Sequence, residues 1–119
     1  MKKVVKYVAM ASALALPVLA LANGSPKIKA EMTGAGCFAC HAVSQKIVGP
    51  AYSWVAYTFR HKPGAAKELA HRIIDGGAGR WNPWTGGIPM PPHPGMTLAQ
   101  AERMADWVMA QKPVAPPKP

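Results

Sequence analysis

Apolar residues recur at helical spacing in three stretches of this chain. Tyr52, Val55, Ala56 and Phe59 stand at i, i+3, i+4 and i+7, and Ala66, Leu69, Ala70 and Ile73 repeat the pattern. Each set therefore lies on one helix face. The first helix is expected to stop near Lys62-Pro63-Gly64 and the second at Gly76-Gly77. Leu98, Ala101, Ala105 and Val108 line a third helix, opened by the capping-box pattern Thr97-Leu98-Ala99-Gln100 and closed by Pro113. Lys112 suits the negative end of that helix. Ser25-Pro26, an N-cap followed by proline at the first helical position, opens a shorter helix ending by Gly34 or Gly36. No alternating pattern marks a strand and no repeat is present. The fold class is all-α, with three to four short helices and long loops.

The beginning of the chain has another pattern. Lys2, Lys3 and Lys6 precede an apolar run over residues 8–19, and Ala20-Leu21-Ala22 is a small-x-small cleavage site. This three-part arrangement reads as a secretory signal peptide cut after Ala22. The competing reading is an uncleaved anchor, but the uncharged run is shorter than the roughly 20 apolar residues a span needs. The expected organisation is a signal peptide over 1–22, a domain over 23–112, and a flexible proline-rich tail over 113–119. The mature chain then has no membrane span. Losing the three lysines takes the net charge from +9 to +6. The remaining basic residues are scattered, which does not suit nucleic-acid binding; they suit a solvated surface or docking to acidic faces of partner proteins.

A domain of this size buries little surface and often needs a staple. Cys37 and Cys40 are too close in sequence for a disulfide to restrain much of the unfolded chain. From Gly76 to Gly95 periodicity fails, and glycine, proline, tryptophan and methionine dominate. Disordered segments are poor in such aromatics, so the loop is expected to wrap around something.

Cys37-Phe38-Ala39-Cys40-His41 is the sharpest feature of the sequence. Cys-x-x-Cys-His is the attachment signature of c-type haem. Two thiols on one helical turn can each add to a vinyl group of the same porphyrin edge, and the next histidine is aimed at the iron. A thioredoxin-like pair would need a βαβ setting, which is absent. A structural zinc site would need four ligands, and no second cysteine pair exists. For the other axial position the candidates are Met32, Met90, Met96, Met104, Met109 and the remaining histidines. Met104 and Met109 belong to a helix pattern, and Met32 lies too near the cysteines to reach over the ring. Met90 stands in Ile88-Pro89-Met90-Pro91-Pro92, where prolines stiffen the backbone on both sides. Met96 is its rival. If His41 and Met90 both bind iron, no position is left for a substrate, and outer-sphere electron transfer follows. With His41 alone, a gas-binding or peroxidase-like haem protein is the alternative.

The chain resembles the small bacterial class I monohaem cytochromes c of the cytochrome c-551/c-552 type. The resemblance spans residues 30–112 and rests on five ordered segments: Cys37-x-x-Cys40-His41, Val48-Gly49-Pro50-Ala51-Tyr52, Glu68-Leu69-Ala70-x-Arg72-Ile73, Ile88-Pro89-Met90-Pro91-Pro92 and Ala105-Asp106-Trp107-Val108. It implies a class I cytochrome c fold around one covalently bound haem c, with Met90 as the distal ligand. It implies that Pro50 presents its carbonyl to His41, that Arg72 and Trp81 hydrogen-bond a haem propionate, and that Trp107 packs near the haem. The implied function is electron transfer without enzymatic activity: a monomeric periplasmic shuttle between partners such as a quinol-oxidising complex, a terminal oxidase or a nitrite reductase. In one interval the chain departs from the family. Asn82-Pro83-Trp84-Thr85-Gly86-Gly87 replaces a shorter Trp-Gly-Pro connection, which leaves open whether Trp81 or Trp84 faces the propionates.

Overall fold

The helix at the C-terminal end is the clearest product of local sequence. Gln100 N–H donates to Thr97 Oγ1 at 3.2 Å and Thr97 N–H donates to Gln100 Oε1 at 3.0 Å. This reciprocal cap satisfies donors that the first helical turn leaves open. In the computed structural model, which describes residues 25–119, the capped helix is the last of six. They are α1 (Pro26–Gly34), α2 (Cys37–Cys40), α3 (Tyr52–Phe59), α4 (Ala65–Asp75), α5 (Asn82–Thr85) and α6 (Leu98–Met109). No strand occurs among the described residues, and none of their helices is long and apolar enough to cross a membrane. The expected leader over 1–22 lies outside the described residues.

Helices α1, α3 and α4 all pack on α6. Ala70 of α4 and Ala101 and Ala105 of α6 are fully buried. Such small side chains let helix axes approach closely. The buried stripe of α6 is Ala101, Met104, Ala105 and Val108, with Trp107 on its flank. Leu98 was expected on that face, but at the first helical position it lies beyond the packed stripe and is exposed. Tyr52, Val55, Ala56 and Phe59 of α3 are all buried as their spacing predicts. Leu69 and Ile73 are half-buried because they line a cleft.

Four of the helices answer the expected pattern. The other two are single turns. Helix α2 is the turn that carries the two cysteines, and α5 falls in the departing interval, where four residues are too few to show periodicity. The turn leading into α5 is closed by Gly79 N–H, which donates to Asn82 Oδ1 at 2.8 Å, and Pro83 stands in the first turn of the helix. The segment after α6 runs back over α3, with Val114 N–H donating to Ser53 O at 3.0 Å.

Candidate functional site

Phe38, between the two cysteines, fixes α2 in place. Its ring meets Tyr52 of α3 edge-on at 5.8 Å and Trp107 of α6 at 5.9 Å, and those two rings meet each other at 5.7 Å. Each edge-to-face pair contributes about 0.5–1.5 kcal/mol beyond simple burial. Cys37 and Cys40, three residues apart on this turn, occupy neighbouring positions of one face and are not joined to each other by a disulfide. Burial pushes the Cys37 thiol up from its ordinary value, its own backbone hydrogen bond pulls it down, and Cys40 raises it again.

The chain turns out of the helix at His41, which is extended at φ −126 and ψ 146. Its Nδ1–H donates to the Pro50 carbonyl at 2.8 Å, and its ring stacks on Tyr52 at 5.0 Å with planes 16° apart. Val48 and Gly49 N–H both donate to Cys40 O, at 3.1 and 2.8 Å, which folds this segment against the ring. A methyl group on Gly49 would collide with the imidazole, so only glycine fits. Burial lowers the His41 pKa, and the bond to Pro50 partly offsets this. At neutral pH the ring is uncharged, with its proton on Nδ1 and a lone pair on Nε2. Pro50→Ala keeps the accepting carbonyl and loses only ring stiffness. The variant is expected to fold, to lose about 1 kcal/mol in denaturant titration, and to shift the reduction potential only slightly.

Met90 is placed by glycines. Met90 N–H donates to Gly77 O and Gly77 N–H donates to Met90 O, both at 2.9 Å. Gly76, at φ +67 and ψ −154, lies so close that a methyl group there would strike the Met90 carbonyl and the Pro92 nitrogen. That backbone region is essentially glycine-only, with a strain of order 1–3 kcal/mol for other residues. Gly76→Ala is therefore expected to destabilise the protein by at least about 2 kcal/mol, read from a denaturation midpoint, and to disturb Met90 more than His41.

Cys37, Cys40, His41 and Met90 line one cleft of about 1280 Å³, the open space at its mouth included. Val48, Phe59, Leu69 and Ile73 form apolar wall, while Arg72 and Trp81 also line the cleft. Met96 does not; it borders a separate hollow beside Glu31, His93 and Gln100. Met32 and Met104 reach the cleft wall as core residues, 2% and 3% exposed. Trp84 lies outside the lining, and its indole N–H donates to Pro117 O at 2.8 Å. Trp107, expected near the cofactor, belongs to the aromatic cluster with Phe38 and Tyr52 and does not line the cleft. Among the described residues no group of three or more His, Cys, Asp or Glu side chains gathers as a zinc site requires.

Some contributors to the site have no role assigned by the sequence, although Tyr52 and Glu68 stand in segments that carry the family resemblance. Tyr52 counts as an apolar helix position, yet its ring is the platform for His41. Glu68 and Arg80 line the cleft beside Arg72. Glu68 pairs with Lys62, and that bond, with the charges of Lys62, Arg72 and Arg80, lowers its carboxyl pKa. Arg80 lies over the Phe59 ring at 5.2 Å. These cations give the cleft a positive margin next to apolar walls.

A helical chain folded around one apolar cleft, with a Cys-x-x-Cys-His turn in its lining, defines the class I cytochromes c. No family model matches the chain. It is 48% identical over 77 residues to cytochrome c-551 of Pseudomonas aeruginosa, covering 65% of this chain and 69% of that protein. Cytochrome c-551 of Azotobacter vinelandii is 42% identical over 77 residues, 65% of this chain and 88% of that one. The crystal structure of wild-type Nitrosomonas europaea cytochrome c552 superposes with a TM-score of 0.64 and 38% identity, covering 71% of this chain and 99% of that structure. The chain belongs to this cytochrome c-551/c-552 family of small monohaem cytochromes c. It is an electron-transfer protein, works with redox partners, and carries covalently bound haem c. The residues present fit that group: paired thiols on one turn, an imidazole whose second nitrogen is uncommitted, a thioether in a stiff loop, and cations beside apolar walls.

Proposed function

We propose that the protein is a periplasmic single-electron carrier in which Cys37 and Cys40 form the haem thioethers and His41 and Met90 are the axial ligands. The observation that carries this reading is the shared cleft: it joins the Cys-x-x-Cys-His turn to Met90 and leaves Met96 outside. The haem supplies a one-electron couple, raised in potential by Met/His ligation. The Pro50 carbonyl fixes the tautomer and plane of His41, as hydrogen bonds to ligating histidines generally do. The reciprocal Gly77–Met90 bonds hold the thioether-bearing backbone before and after electron transfer, so little rearrangement accompanies a change of charge. Val48, Leu69 and Ile73 present apolar surface to the cleft, which would disfavour added positive charge on a haem held there. Pro50 supports the proximal side, and Arg72 and Trp81 are the proposed propionate partners.

Export through residues 1–22, a domain over 23–112 and a tail over 113–119 complete the proposal. The mature charge of +6 supports docking of a monomer to acidic faces of redox enzymes. Candidate partners are a quinol-oxidising complex, a terminal oxidase and a nitrite reductase. Intact mass of the protein recovered from the periplasm tests export and attachment together. A chain beginning at Asn23 and carrying the mass of one haem is expected. Retention of residues 1–22, or a mass without haem, contradicts the proposal.

A further inference from the structure

Residues 89–94 read Pro89-Met90-Pro91-Pro92-His93-Pro94, so only Met90 and His93 have backbone N–H groups. Both are bonded to one region of the fold. Met90 N–H donates to Gly77 O at 2.9 Å, and His93 N–H donates to Ile74 O at 2.9 Å. The His93 side chain adds a further bond, its Nδ1–H donating to Ile73 O at 2.9 Å. Ile73 and Ile74 belong to the last turn of α4, where carbonyls lack partners within the helix. His93 thus caps two of these carbonyls, one with its backbone and one with its ring. Its own carbonyl accepts from Met96 N–H at 3.1 Å, which ties the segment onward to α6.

We propose that His93 is a positioning residue for Met90. The inference rests on the reading of Met90 as axial ligand and adds to it. Prolines remove every other backbone donor from residues 89–94, so beyond Met90 the backbone hydrogen bond from this segment to α4 is made at His93, while Gly76 packs closely against Pro91 and Pro92. The Gly77 pair holds one side of Met90, and the His93 clamp holds the other. Releasing the ring bond leaves the His93 backbone N–H alone to restrain the far side, and Met90 leaves the iron more often.

The test is a titration of ferric holoprotein with imidazole, which binds the iron only where the methionine has left. A net hydrogen bond of ordinary strength corresponds to an affinity gain of about 2- to 10-fold in His93→Ala. His93→Asn places an amide N–H near the position of Nδ1 and is expected to return the affinity towards the native value. If His93→Ala accumulates poorly, His93→Phe keeps ring volume without the donor and reads the same quantity. Thr97→Ala, which weakens only the α6 cap, should leave imidazole affinity unchanged. Native affinity in the Ala or Phe variant overturns the inference. So does an equal gain in Thr97→Ala, which would mean general loosening. Met90→Ala separates the two readings through the ferric sulfur-to-iron charge-transfer band. Survival of the band there ends the ligation proposal. Its loss there, with native imidazole affinity in the His93 variants, ends only the positioning role.

Discussion

Met90→Ala is expected to lower the reduction potential by hundreds of millivolts, within the roughly 0.8 V range that axial ligands control, while the haem stays covalently bound. The thioether is a weak donor that favours the reduced state, and alanine supplies no donor in its place. Carbon monoxide and cyanide should then bind readily, because a coordination position has opened. The fold should persist, since the Gly77–Met90 bonds are made by backbone and survive the substitution. Redox titration and ligand binding on the purified variant check both parts. An unchanged potential would redirect the assignment to Met96, despite its place outside the cleft.

Cys37→Ala is expected to have the largest effect on yield, with most holoprotein lost. The side chain is one of two covalent anchors proposed for the cofactor, and the cleft has few other means of retaining it during maturation. Its consequence reaches the fold. The cleft lies between α3, α4 and residues 76–91, and Leu69 and Ile73 pack on the core from one side while their other side lines the cleft. A chain this small cannot leave that surface wet and stay stable. Haem content per polypeptide and resistance to protease measure the two effects. Native recovery of a red, protease-resistant variant would contradict the thioether assignment.

Much of the scaffold was legible because it is encoded locally. The Thr97/Gln100 cap, the apolar stripe of α3 and the Gly76-Gly77 stop each depend on residues within a turn or two. The Cys-x-x-Cys-His run was legible for the same reason; proline spacing favoured Met90 with Met96 as its rival, and the family resemblance pointed to Met90. What stayed hidden depends on distant contacts. Tyr52 stacks on His41 because residues 42–51 fold back, and nothing in its apolar periodicity distinguishes the ring from core. Trp81 and Trp84 read alike in sequence; they part because α5 turns the chain and gives the Trp84 indole to Pro117. His93 was one histidine among several until α4 supplied the carbonyls that receive it.

The most direct measurement is the absorption spectrum of mature holoprotein, oxidised and then reduced. It should show covalent haem with a ferric methionine-sulfur-to-iron charge-transfer band and no uptake of carbon monoxide in the reduced state. Covalent haem without that band, binding carbon monoxide at once, would contradict His41/Met90 ligation and turn the protein from an electron carrier into an open-site haem protein.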